Sequence, residues 1–280
     1  MKKTQETIRH FMVDNAARFS KETVRSYQLS LRQFFEFCVK EYDEVVAQDI
    51  RRWLSSLGAS GLKPRSICVK LACLKSFYKY CLEENQIVKN PTARIQRPRL
   101  DDSLPKYLEK ADLAKLFEQS RHDPRDRAII ETLYVTGVRI SELLNIRLED
   151  IKWDTRQIWI KKGKGNRERF VLMTTECAER LKTYLKTRGI DSPYLFANQR
   201  KGKLSRVWVE HRFRIYSKQL SLNIPVTPHT LRHTFAAHLI QKGMPQTFIQ
   251  ELLGHENVNS TRIYTRLSDA ARKKQYDSYQ

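Results

Sequence analysis

From Lys21 to Cys38 the chain reads KETVRSYQLSLRQFFEFC, in which Val24, Tyr27, Leu31, Phe34 and Cys38 recur at every third or fourth position. That spacing lines one face of a helix and predicts an amphipathic element with a buried stripe. The same period runs from Leu62 to Cys81, through Ile67, Leu71, Leu74, Tyr78 and Cys81, with Pro64 placed where a first helical turn tolerates it. Beyond residue 105 two more helices are expected, about Lys110 to Gln119 and Arg125 to Thr136, the second stopped by Gly137, and RISELLNI begins a further short one. The pattern then changes. IKWDTRQIWIKKGKGNRERFVLM alternates β-formers with polar residues around Gly163-Lys164-Gly165-Asn166, which predicts a hairpin. Helical spacing returns from Arg206 to about Leu220, from Thr230 to Gln241 before Gly243, from Pro245 to Leu253 before Gly254, and from Ser260 onward. The expected fold is mainly α with a small antiparallel β-sheet.

Prolines mark a division. NPTARIQRPRLDDSLP sets Pro91, Pro98 and Pro105 among basic residues, a composition that suits an extended connector rather than a helix. The expected organisation is a helical N-terminal domain over 1–90, a linker over 91–105 and an α+β domain over 106–280. A chain of 280 residues is long enough to bury two cores.

Charge adds the first functional constraint. Lys+Arg number 52 and Asp+Glu 31, a formal net charge of +21, so a polyanion is the natural partner, with nucleic acid leading and an anionic membrane surface its competitor. No stretch is both apolar and long enough to span a bilayer, and no secretory signal opens the chain, so no membrane role is expected and the cytoplasm is the expected compartment. The five cysteines, Cys38, Cys68, Cys73, Cys81 and Cys177, are odd in number and lack a CxxC pair, which favours reduced core thiols. Off the apolar stripes of the first domain stand Lys63, Arg65, Lys70, Lys75 and Lys79, dispersed cations of the kind that neutralise phosphates without a special motif.

The chemistry concentrates near the C-terminus. TPHTLRHTFAAHL, from Thr227 to Leu239, holds three of the chain's seven histidines around Arg232. His229 and His233, four apart, could hold a metal from one helical face, yet no third ligand stands at a usual spacing, so no metal or other cofactor is expected. His233 and His238 read as buried imidazoles beside an apolar run. His229 and Arg232, three apart at the start of a helix, form an anion-binding pair. Further on, LLGHENVNSTRIYTRL sets His255 in a bend and Tyr264 early in the next helix. A phenol has a pKa of about 10 and needs such a cationic setting to attack phosphorus.

Taken together, TGVRISELLNI with Arg139, KGKGNRERF with Lys164, HTLRHTFAAHL with His229 and Arg232, LLGH with His255 and STRIYTRL with Tyr264 resemble the tyrosine recombinase (integrase) family, in particular its two-domain Xer-like members. TVRSYQLSLRQFFEFC resembles that family's core-binding domain. The resemblance implies a site-specific recombinase with Tyr264 as nucleophile and a 3′-phosphotyrosyl intermediate. It implies Arg139 and Arg232 as phosphate clamp, Lys164 as general acid, and His229 and His255 as aids to proton transfer. Glu142 would orient Arg139. It further implies a tetramer on paired sites in double-stranded DNA, with the segment after Tyr264 docking on a neighbour as it often does in the family, rather than fraying or packing on its own domain, and leaves room for a second recombinase or an accessory protein. Arg25, Lys63, Arg65, Lys75, Arg167 and Arg206 are the candidate DNA contacts. The rival readings are a monomeric type IB topoisomerase and a non-catalytic DNA-binding relative; the six reactive side chains stand against the second.

Overall fold

The computed structural model describes residues 2–99, 106–161 and 168–254. Lys164, Arg167, His255 and Tyr264 lie outside the described residues, as do the expected hairpin turn, the expected helix from Ser260 and the tail. The chain divides into two compact units, Met1–Asp102 and Ser103–Gln280.

The first unit is built from α1 (Lys2–Asp14), α2 (Lys21–Cys38), α3 (Ala47–Ala59) and α4 (Pro64–Glu83). Ser20 starts α2 by accepting the Thr23 N–H at 3.1 Å, which satisfies one of the amides a helix start leaves open. Pro64 occupies the first turn of α4, where its missing N–H costs nothing. The stripes meet in an aromatic core. Phe77 of α4 stands edge-on to Phe11 of α1, Phe35 of α2 and Tyr42, an arrangement ring quadrupoles favour. Part of the proline-rich connector joins this core: Thr92 and Ile95 are buried, Ile95 against the same cluster.

In the second unit come α5 (Lys110–Gln119), α6 (Pro124–Thr136), α7 (Ile140–Leu143), β1 (Ile151–Lys152), β2 (Gln157–Ile160), β3 (Arg169–Leu172), α8 (Thr175–Thr187), α9 (Arg206–Gln219), α10 (Pro228–Gln241) and α11 (Gln246–Leu253). The sheet is antiparallel in the order β1-β2-β3, with Ile158 opposite Val171 and Ile160 opposite Arg169. Helix α6 is central, packing on α5, α8, α10 and β3, and is buried on every side, including its polar Asp126, Glu131, Thr132 and Thr136. Such a helix needs partners for its polar groups. Asp126 receives Arg212 Nε at 2.6 Å and the Tyr216 hydroxyl at 2.8 Å, both from α9. Helix α8, in a stretch where no element is expected from the sequence, is capped by Thr174 and buries Cys177, Ala178, Leu181 and Tyr184.

Gly137 turns the chain out of α6 in the left-handed region, φ 61°, while its N–H reaches Leu133 O at 3.1 Å. Only glycine fits there. A Cβ would stand 2.8 Å from Phe235 Cε1 and 2.9 Å from Leu253 Cδ2. This close approach lets α10 and α11 pack against the segment that carries Arg139. Among the described residues no helix is long and apolar enough to cross a membrane.

Candidate active site

Helix α10 begins as its sequence requires: Thr227 caps it by accepting the Thr230 N–H at 2.9 Å, and Pro228 follows in the first turn. Arg232, one turn in, is buried at 5% exposure, and its guanidinium donates to Gly137 O at 2.5 Å and Leu253 O at 2.7 Å. His229 stands on the same helix. It is exposed, and its Nε2 lies 3.1 Å from Nε2 of His233, so one ring donates and the other accepts.

His233 corrects the sequence expectation. It is half-exposed rather than buried, although Ala236 and Ala237, three and four positions on, are fully buried. His238 is buried as expected, with Nδ1 3.1 Å from the Tyr134 hydroxyl. Burial holds its pKa below the ordinary imidazole value. Among the described residues no group of three or more His, Cys, Asp or Glu side chains could hold a metal ion.

Arg139 starts α7 beside the Gly137 turn. Its N–H donates to Glu142 Oε2 at 2.8 Å, its Nη1 to Glu142 Oε1 at 2.7 Å and its Nη2 to Gly254 O at 3.1 Å. The helical spacing of three brings Glu142 back onto Arg139. Glu142 also takes both ends of the Arg169 fork, Nη1 at 3.2 Å and Nη2 at 2.9 Å, and Arg169 Nε reaches Leu252 O at 3.1 Å. Burial alone would raise the Glu142 pKa. The hydrogen bonds from Arg169 and Arg139 outweigh burial and bring it from 4.5 to about 2, so the carboxylate is ionised at neutral pH.

Three arginines thus meet three successive carbonyls, Leu252, Leu253 and Gly254, at the C-terminal end of α11. The geometry has a local cause. The last carbonyls of a helix lack intrahelical partners and carry the negative end of its dipole, which attracts guanidinium groups. Gly254, at φ 61°, closes α11, and a Cβ there would come 3.0 Å from Arg169 Nη1. The next residue in the chain is His255. Of the six sequence-derived candidates, Arg139 and Arg232 are therefore gathered at one helix end, His229 stands on the helix of Arg232, and Lys164, His255 and Tyr264 lie outside the described residues.

Arg169 was not singled out from the sequence, where it is one cation among several in KGKGNRERF. The only available signal was its place in the alternation with Val171. Among the DNA-contact candidates, Arg25, Lys63 and Arg65 are exposed and Lys75 is half-buried. Arg206 is exposed and paired with Glu210 at 2.7 Å on its own helix.

Comparisons with known proteins bear on the whole chain. The sequence pattern of the Phage integrase family matches residues 106–271, and that of the Phage integrase, N-terminal SAM-like domain matches residues 12–85. Tyrosine recombinase XerA of Pyrococcus furiosus is 35% identical over 274 residues, covering 94% of this chain and 92% of its own. The crystal structure of XerA recombinase superposes with a TM-score of 0.58 at 31% identity, covering 99% of both chains. The fold is also shared, at 18% identity and a TM-score of 0.77, with a lambda integrase tetramer bound to a Holliday junction, which covers 95% of this chain and 77% of that one. With an integrase pattern over its C-terminal unit, a Xer relative along its whole length and paired arginines at the end of α11, this chain belongs to the phage integrase family of tyrosine recombinases and is a site-specific recombinase that cuts and rejoins DNA strands.

Proposed function

We propose that Tyr264 is the nucleophile of this reaction. Its phenolic oxygen attacks a DNA phosphodiester, the bond from phosphorus to the 5′ oxygen breaks, and a 3′-phosphotyrosyl link and a free 5′-hydroxyl result. A 5′-hydroxyl of another strand then attacks the link, restores a phosphodiester and returns the proton to tyrosine. One ester replaces another, so neither ATP nor water is consumed.

The observation that carries this reading is the convergence of Arg139 and Arg232, distant in sequence, on Gly254 and Leu253 directly before His255. Two planar forks at one point suit the non-bridging oxygens of a pentacoordinate phosphorus, where they stabilise charge as metal ions do in other phosphoryl transfers. The reaction therefore proceeds without a metal. Lys164, between β2 and β3 in sequence, protonates the leaving 5′ oxygen. His229 and His255 hydrogen-bond the phosphate and aid proton transfer.

Residues 1–90 form the core-binding domain, 91–105 the connector and 106–280 the catalytic domain. Lys63 and Arg65 flank the start of α4, whose first turn has no acidic residue, so two cations and the positive end of the helix dipole both favour a phosphate there. Arg25, Lys75, Arg167 and Arg206 add dispersed contacts to the DNA backbone. The enzyme works in the cytoplasm as a homotetramer on paired sites, in the manner of the junction-bound lambda integrase tetramer, with the segment after Tyr264 docking on a neighbouring subunit. Its task is Xer-like resolution or the integration and excision of a mobile element, alone or with a second recombinase or accessory protein.

The test is a suicide DNA substrate nicked beside the cleavage position. Wild-type protein should form a covalent adduct that survives denaturing electrophoresis, and Tyr264→Phe should bind the DNA and form none. Adducts that persist in the variant and map to Tyr276 or Tyr279 would overturn the assignment. Absence of any wild-type adduct would favour a non-catalytic DNA-binding relative, and relaxation of plasmids regardless of sequence would favour a topoisomerase.

A further inference from the structure

Along β3 the residues alternate. Phe170 and Leu172 are exposed, whereas Val171 is buried and Arg169, opposite the buried Ile160, lies on the same inward side. An arginine facing a core needs several acceptors to offset its lost hydration. Arg169 has them: both Glu142 oxygens through Nη1 and Nη2, and Leu252 O through Nε. Its side chain is 14% exposed and that of Glu142 only 3%.

We infer that Arg169 is a positioning residue for strand cleavage, bracing the Glu142 carboxylate so that Arg139 presents its guanidinium in one orientation. The brace rests on the phosphate-clamp role proposed above for Arg139. A carboxylate held by one arginine can rotate about its last bond and draw that arginine into a closed bidentate pair. Here the Arg169 fork occupies one side of both Glu142 oxygens and fixes the plane. Arg139 is left with one side-chain bond to Glu142, one to Gly254 O, and further N–H groups for a phosphate. The same side chain joins β3, α7 and the end of α11. Residue 169 follows Lys164 by a few positions and Leu252 precedes His255 by a few, so the brace links the chain segments that carry the other proposed groups. A displacement near 1 Å at a reacting centre is enough to cost on the order of 10²-fold in rate.

The experiment measures DNA affinity, the single-turnover rate of covalent adduct formation and thermal stability for Arg169→Lys, Arg169→Met, Glu142→Gln and the Glu142→Gln/Arg169→Met double variant. Lysine keeps a charge beside Glu142 but has no fork. Arg169→Lys should therefore keep DNA affinity close to wild type and lose less stability than Glu142→Gln, while adduct formation slows by about tenfold or more. Because Arg169 acts through Glu142, the double variant should be no slower than about the slower single variant. Arg169→Lys at the wild-type rate, or independent multiplicative losses in the double variant, would overturn the positioning role. Rates that merely follow melting temperature across the series would reduce Arg169 to a scaffold residue. If Arg169→Met does not fold, the lysine variant alone decides between these outcomes. Failure of wild-type protein to form adducts would instead overturn the recombinase chemistry on which the inference rests, so the two failures are separable.

Discussion

Replacing Glu142 with glutamine keeps the shape of the side chain and removes the charge that two arginines share. The structure sets the expected magnitude. The carboxyl pKa falls from 4.5 to about 2 against the opposing effect of burial, and each tenfold change in acidity corresponds to about 1.4 kcal/mol, so ionised Glu142 stabilises the second unit by about 3 kcal/mol. An independent route, the typical cost of breaking a buried ion pair by removing one partner, is about 3–5 kcal/mol. Because the folded pKa lies below the unfolded one, the contribution is fully present above pH 4.5 and is lost as pH falls through 2. Glu142→Gln should thus lower unfolding free energy by about 3 kcal/mol at pH 7. At pH 3.5 the gap should shrink by about 1.4 kcal/mol, since the unfolded carboxyl is by then mostly protonated. Urea titrations at fixed salt read this in a Trp53→Phe background, which leaves Trp153, Trp159 and Trp208 as reporters of the second unit. A difference below about 1 kcal/mol at pH 7, or one that does not change at pH 3.5, would refute the account of Glu142 as a shared counter-ion.

Gly137→Ala should destabilise the second unit by about 2–5 kcal/mol, adding a left-handed alanine to an overpacked contact with Phe235 and Leu253, and should slow adduct formation; thermal melting within a degree or two of wild type would contradict this. Arg139→Lys and Arg232→Lys keep charge but lose the fork, and for Arg232 one of two backbone acceptors, so cleavage should fall by orders of magnitude while DNA affinity barely changes. Near-normal cleavage by either variant would remove that arginine from the clamp. Strand cleavage should survive exhaustive chelation, because cationic side chains supply the charge stabilisation; activity lost to EDTA and restored by zinc or magnesium would return His229 and His233 to consideration as metal ligands.

Much of this architecture is local and could be read along the chain. The stripes through Val24, Leu31 and Phe34 and through Leu71, Leu74 and Tyr78 specify helices because period and burial coincide, and Thr227-Pro228 and Gly254 mark helix ends by capping chemistry that acts within a few residues. The family was equally legible, since a motif records which side chains are present and in what order. Neither period nor motif states what a side chain faces. In Arg169-Phe170-Val171-Leu172 three of four residues are apolar, and alternation alone would favour burying Phe170 and Leu172. Pairing with Ile158 and Ile160 in β2 turns Val171 and Arg169 inward instead, because the strand period of two lets a one-residue choice of register reverse every side chain. Helix α8 was not expected although Thr174 offers a cap and Cys177, Ala178, Leu181, Tyr184 and Leu185 fall at helical spacing. His233 and Arg232 are adjacent in sequence, yet one is half-exposed and the other buried. What separates them is the end of α11, whose unpaired carbonyls take Arg232 and Arg139 together; those acceptors belong to residues far along the chain and exist as a site only once α6, α10 and α11 have packed around Gly137.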